Sequence, residues 1–137
     1  MRRAVLDPGV LVSALITPNG TPAKLLVEAR RGELELIVSP LLLAELEGVL
    51  RREKFRRYAG LDAVGDYLDL LRGLAVVAAD PEGPPPLRSA DPDDDYLIAL
   101  AHSRSAVLVS GDSDLLGIAA GAPICAPVDL LSAPPHF

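Results

Sequence analysis

Short apolar runs without polar alternation recur along this chain, each separated from the next by a stretch of helical periodicity. Arg3 to Leu6 reads as a first strand, and Val10 to Ile16 as a short helix stopped by the turn sequence Pro18-Asn19-Gly20. Thr21-Pro22 combines a capping hydroxyl with proline at the first helical position, which predicts a helix to Arg31 that ends at Gly32. Leu34 to Val38 is a second strand, and Ser39-Pro40 repeats the capping device for a helix from Leu41 to about Arg52. Phe55 to Tyr58 and Leu61 to Leu71 read as further helices, broken at Gly60 and Gly73. Leu74 to Ala78 is a third strand, followed by Asp80-Pro81-Glu82-Gly83-Pro84-Pro85-Pro86, whose prolines exclude helix and inner strand. A helix opening at Asp93 or Asp94 and reaching Arg104, a fourth strand from Ala106 to Val109, a short helix from Asp114 to Ala119 and an edge strand from Pro123 to Cys125 complete the pattern. Strands alternating with helices, and fully apolar runs such as Val107-Leu108-Val109, predict an α/β fold with a parallel sheet covered on both faces.

Against this pattern, four carboxylates follow or lie close behind the apolar runs: Asp7, Glu45, Asp94 and Asp112. At the carboxyl edge of one parallel sheet they would converge, and such a cluster of like charges needs a cation at neutral pH. Spacing tests each acid. At about 100° per residue, Leu41, Leu42, Leu43, Leu46, Val49 and Leu50 sweep out an apolar arc that includes Glu45 and leaves Glu47 on the polar side. An acid among leucines needs a partner, and a metal or an arginine, Arg52 on the same face, are the two candidates. In Asp91-Pro92-Asp93-Asp94-Asp95, acids at a helix start cap free N–H groups, the preferred explanation for Asp93 and Asp95. Asp94 shares a face with Leu97, Ile98 and Ala101. After Ser110-Gly111, one of Asp112 and Asp114 is expected to cap a short helix, and Asp112, nearer the strand end, is the better ligand candidate. Pro8 holds Asp7 extended, and Gly9 allows close approach to whatever sits there.

Composition narrows the chemistry. At 137 residues the chain is expected to form a single domain, 1–137, and no apolar run reaches the roughly 18 to 20 residues that cross a bilayer. Met1-Arg2-Arg3 leads straight into the first strand with no secretory signal, which places the protein in the cytoplasm as an expectation. One cysteine, Cys125, and two histidines do not support a zinc cluster, so any metal should be held by oxygen. His102 and His136 are weak candidates for a general base, and Cys125 reads as a small buried apolar side chain. The net charge of −6 argues against a plain nucleic-acid-coating protein, but a bound divalent ion would reverse the sign locally. Arginine outnumbers lysine eleven to two and is grouped at Arg30-Arg31, Arg51-Arg52 and Arg56-Arg57, a preference that coding bias also explains. Tyr58, Tyr67 and Tyr96 do not make a stacking platform, and Phe55 with Tyr58 reads as helix packing rather than base recognition.

Four segments, Asp7-Pro8-Gly9-Val10-Leu11-Val12-Ser13-Ala14-Leu15, Ser39-Pro40 through Glu45-Leu46, Asp91 to Asp95, and Val109-Ser110-Gly111-Asp112-Ser113-Asp114-Leu115-Leu116, together resemble the PIN domain in its VapC-like toxin branch. The similarity runs in order through nearly the whole chain and ends with Ile124 to Leu131. It implies a PIN-like three-layer α/β/α sandwich with a parallel sheet of about five strands. It also implies a Mg²⁺- or Mn²⁺-dependent ribonuclease, commonly a homodimer or higher homo-oligomer and often silenced by an antitoxin protein. The family's acids match Asp7, Glu45, Asp94 and Asp112, with Asp114 as an accessory metal ligand. In the third motif the acid precedes an apolar residue by three and an alanine by seven, which fits Asp94 with Leu97 and Ala101 better than Asp95. Ser13 and Ser110 match polar places in the family and are candidates for supporting hydrogen bonds. One departure stands out: a small hydroxyl residue and an asparagine usually follow the first acid, and here those places hold Pro8 and Gly9.

The expected activity is an endoribonuclease in which Asp7, Glu45, Asp94 and Asp112 bind one or two Mg²⁺ or Mn²⁺ ions that activate water against an RNA phosphodiester. Arginines between Arg51 and Arg57 would hold the RNA backbone. The alternative is a catalytically impaired PIN-fold module that binds RNA or a protein partner, its metal geometry spoiled at Pro8 and Gly9. A phospho-acceptor signalling domain is disfavoured, since it needs a lysine near the end of a late strand and the chain offers only Lys24 and Lys54, in helical segments.

Overall fold

A chain that starts with an apolar strand and returns to it late must bury that strand on both faces, and β1 does so at the centre of the sheet. The computed structural model describes residues 2–82, 95–111 and 124–131. In chain order these form β1 (Arg2–Leu6), α1 (Pro8–Ile16), α2 (Thr21–Arg30), β2 (Leu34–Val38), α3 (Pro40–Leu50), a 3₁₀ turn at Glu53–Phe55 and α4 (Leu61–Leu74). Then come β3 (Val76–Val77), α5 (Asp95–Ser103), β4 (Val107–Val109), β5 (Ile124–Cys125) and α6 (Pro127–Leu131). The five strands are all parallel, in the order β3-β2-β1-β4-β5. Leu6 pairs with Val109 in register, so β1 and β4 end side by side. Strand order reverses between them, and in open α/β sheets that is where a crevice forms at the carboxyl edge.

Parallel neighbours require crossovers, and their right-handedness sends the helices after β1 and β2 to one face and α5 to the other. On the first face α1 packs against both α2 and α3, and α3 against α4; on the second, α5 packs on β1 and β4. The result is the three-layer α/β/α sandwich. Its core includes Val5, Leu6, Ile37, Val38, Leu97, Leu100 and Leu108, all almost completely removed from water.

Local chemistry sets where the helices begin. Asp7 caps α1, its Oδ1 accepting from the Val10 N–H at 2.8 Å, with Pro8 at the first helical position. Ser39 caps α3 in the same way through the Leu42 N–H at 3.2 Å. At α2 the expected cap shifts by one residue: Gly20 occupies it without a side-chain bond, and Thr21 is already helical. Gly32, at φ 78°, ends that helix in the left-handed region and lets the Glu33 N–H reach the Glu28 oxygen at 3.0 Å.

Several expected boundaries differ. Helix α3 stops at Leu50, because Arg51 caps it and Arg52 turns extended (φ −63°, ψ 140°). The Phe55–Tyr58 helix is instead a single 3₁₀ turn over Glu53–Phe55. Helix α4 runs through Gly73 to Leu74, its end held by Ala75 N–H on the Leu71 oxygen and by the burial of Val64, Leu68 and Leu71, which outweighs about 1 kcal/mol of glycine propensity. Strand β3 has two residues rather than five; both valines are exposed, as befits an edge. The expected Asp114–Ala119 helix lies outside the described residues. Among the described residues no single helix is long and apolar enough to cross a membrane.

Candidate functional site

Asp7 is the first residue beyond β1. Its N–H continues the ladder to the Val109 oxygen at 3.0 Å, so its side chain emerges where β1 and β4 end. The carboxylate is buried, at 7 % exposure, and held by two donors from different elements: the Val10 N–H on Oδ1 and the Ser110 hydroxyl on Oδ2. Ser110 is fully buried, and its own N–H bonds the Cys125 oxygen at 2.9 Å. One hydroxyl thus ties the end of β1 to the β4–β5 pair. Gly9 has no side chain over the carboxylate; a Cβ there would stand 3.4 Å from Asp7 Oδ1.

Asp7 forms part of a cleft of about 510 Å³, lined also by Pro8, Gly9, Ser13, Glu45, Val49, Gly111 and Pro127. Asp7 and Glu45 therefore open on one space, as their places behind neighbouring strands require. Glu45 lies outside the buried face of α3, contrary to what helical phase predicts. The buried side of α3 is Leu42, Leu43, Leu46 and Leu50, while Leu41 and Glu45 are exposed and Val49 is half-buried. Leu41, Glu45 and Val49 run along the margin of the core, the latter two lining the cleft, so Glu45 carries no burial penalty that forces a partner. Arg52 is not that partner: Glu45 Oε2 accepts from the Tyr96 hydroxyl, whereas Arg51 pairs with Glu47 at 2.7 Å.

Tyr96 brings the start of α5 against Glu45, and beside it Asp95 is buried in the first turn of the helix. Asp94, Asp112 and Asp114 lie outside the described residues, as does His136. Gly111, immediately before Asp112 in sequence, lines the cleft. Among the described residues no three of His, Cys, Asp and Glu are grouped to hold an ion. The donors that do face the cleft, Asp7 and Glu45, are oxygen-only, a set that fits a hard cation such as Mg²⁺ or Mn²⁺ and not a soft one.

Other candidates find plainer roles. His102 is exposed in the last turn of α5. Tyr67 is buried, donates to the Leu11 oxygen at 2.7 Å, and has its phenol pKa raised by desolvation. Cys125 is half-buried; burial first, and the Asp129 charge second, push its thiol up to about 11, with a backbone bond at Leu130 pulling the other way. It therefore stays protonated near neutral pH. Two contributors escaped the sequence reading. Tyr96 touches a residue 51 positions away, with no local signal to announce it; Pro127 comes from α6, a helix too short to show periodicity.

Comparison with known proteins bears on the family and the fold. A family model described as PIN domain matches residues 3–114. An uncharacterised protein of Methanocaldococcus jannaschii is 29% identical over 117 residues, covering 85% of this chain and 74% of that protein. The crystal structure of PAE2754 from Pyrobaculum aerophilum superposes with a TM-score of 0.62 at 22% identity, covering 95% of this chain and 88% of the other. That of VapBC2 from Rickettsia felis, bound to a DNA fragment from their promoter, gives 0.59 at 15% identity, covering 89% and 96%. At those identities the two structures speak for the fold.

Proposed function

The chain belongs to the PIN domain family, and from that premise we propose that it is a Mg²⁺- or Mn²⁺-dependent endoribonuclease, the toxin of a toxin–antitoxin pair. PIN domains are generally nucleases. The observation that carries the reading is the meeting of Asp7 and Glu45 on one cleft at the strand-order reversal, both of them oxygen donors. The metal would be held by Asp7, Glu45, Asp94 and Asp112, with Asp114 accessory. When bound it would supply positive charge to the phosphate and leaving oxygen and make water more acidic.

The chain's own residues do the positioning. The Val10 N–H and Ser110 hydroxyl fix the Asp7 carboxylate, so it need not reorganise as charge develops. The Tyr96 hydroxyl donates to Glu45 and orients its carboxylate. Gly9 leaves space above Asp7 for a phosphate. Pro8, where the family has a small hydroxyl residue, starts α1 without disturbing the Asp7 cap, so that departure leaves the first carboxylate held in place. The VapBC2 likeness supports an antitoxin partner, and the family resemblance a homodimer or higher homo-oligomer; light scattering on the purified chain tests the latter.

The deciding experiment is cleavage of mixed single-stranded RNAs with Mn²⁺, with EDTA, and with Asp94→Asn beside the parent chain. Cleavage that needs Mn²⁺ and disappears in Asp94→Asn is expected. Equal cleavage by the variant, or none by the parent at high concentration, overturns the assignment and in the second case favours the impaired module.

A further inference from the structure

The acid cleft explains bond breaking and leaves open how an acidic protein holds a polyanion. Five of the chain's thirteen basic residues fall within Arg51–Arg57, where Glu53 is the one acid. The structure sorts them. Arg51 is neutralised by Glu47, and Arg56 turns inward to donate to the Leu50 carbonyl, fastening the segment to the end of α3. Phe55 is half-buried against the core and anchors it from below. Arg52, Lys54 and Arg57 are exposed, and none has a carboxylate partner among the described ion pairs.

Tyr58 departs from the packing role its sequence suggests. It is 49% exposed, and the Arg57 guanidinium lies over its ring, 4.7 Å from the centroid. The guanidinium also donates to the Tyr58 hydroxyl, and an exposed phenol held beside a cation offers an unpaired base a ring to stack on next to positive charge for its phosphate. Lys54 lies over Phe55 at 5.1 Å, adding charge beside it. The segment also adjoins the cleft. Val49 lines that space, and the Arg52 N–H bonds the Val49 oxygen at 3.1 Å, so the cationic stretch begins where the cleft wall ends.

We propose that Arg52, Lys54, Arg57 and Tyr58 form a docking site for single-stranded RNA that feeds the strand along α3 into the acid cleft. This rests on the nuclease reading for its direction, though not for the binding itself. Phosphate contacts from the three cations give affinity without sequence choice, and the Tyr58 ring selects unpaired over paired strands because a duplex keeps its base faces covered.

The test is fluorescence anisotropy of the full chain with a labelled single-stranded RNA in EDTA, where binding is read without cleavage. Tyr58→Ala should weaken binding roughly tenfold. The triple change Arg52→Gln, Lys54→Gln and Arg57→Gln should lower the slope of log affinity against log salt by about 2, three phosphates at ~0.7 each. All four side chains are exposed, and thermal melts should stay near the parent's. Asp7→Asn should lose cleavage and keep binding, which separates failure of the dock from failure of the nuclease reading. Unchanged affinity and salt slope in the arm variants, equal affinity for duplex RNA, or loss only of a protein partner would overturn the proposal.

Discussion

Asp7 serves two masters, and the substitutions that separate them are clear. Asparagine caps a helix about as well as aspartate, so Asp7→Asn should keep most of the stability and lose the charge. Asp7→Ala removes the cap and also strands the buried Ser110 hydroxyl, a combined cost of about 2–4 kcal/mol. Urea denaturation of the two variants should therefore differ by more than 1 kcal/mol while cleavage is absent from both. Equal unfolding midpoints would mean that the cap and the serine bond contribute nothing. Tyr96→Phe makes the converse prediction. Glu45 is exposed and can rehydrate, so the fold should lose about 1 kcal/mol or less, while the looser carboxylate should weaken Mn²⁺ binding by severalfold in calorimetry. A stability loss with unaltered Mn²⁺ affinity would make the phenol merely structural. Residue by residue, Asp7 was legible because its neighbours declare a strand end and a helix start. Glu45 was found for the wrong reason: helical phase locates a stripe but does not say whether it faces the core or its margin.

At the scale of elements, the best-read pieces carry their own start signals, such as Asp7-Pro8 and Ser39-Pro40, or are short apolar runs bounded by turns, such as Leu34 to Val38. Elements whose extent depends on packing were misread. Gly73 does not stop α4, because leucines of that helix are already buried, and β3 shrinks to two residues because an edge strand has only one neighbour to extend it. The unit of β5 and α6 supplies a pH test of such packing. The Cys125 thiol is raised to about 11, so the folded chain holds that proton more tightly than the unfolded one. The resulting stability is fully present below pH about 9 and declines as pH rises to about 11. Tyr67, raised by burial, acts in the same sense at higher pH. Urea midpoints should fall across pH 9 to 11, and Cys125→Ala should flatten the lower part of that fall. An identical slope in the variant would show that β5 does not shield the thiol.

For the whole molecule, the strand order β3-β2-β1-β4-β5 sets Asp7 and Glu45, behind neighbouring strands, on one cleft, a closeness that depends on strand order and not on sequence spacing. Such an arrangement has a global signature. A ligand that binds only the folded chain stabilises it by about 2.7 kcal/mol at a hundredfold excess over its Kd, or about 9 °C in melting temperature for 137 residues. Mn²⁺ should produce a shift of that order, reversed by EDTA. General screening of the net charge of −6 is the competing cause, and it predicts an equal effect from sodium chloride at matched ionic strength. Asp7→Asn and Glu47→Gln remove one negative charge each, the first in the cleft and the second in the ion pair with Arg51. Only the first should abolish the Mn²⁺ shift. If both variants respond like the parent, or sodium chloride does as much as Mn²⁺, the carboxylates act as diffuse surface charge and the cleft holds no specific cation.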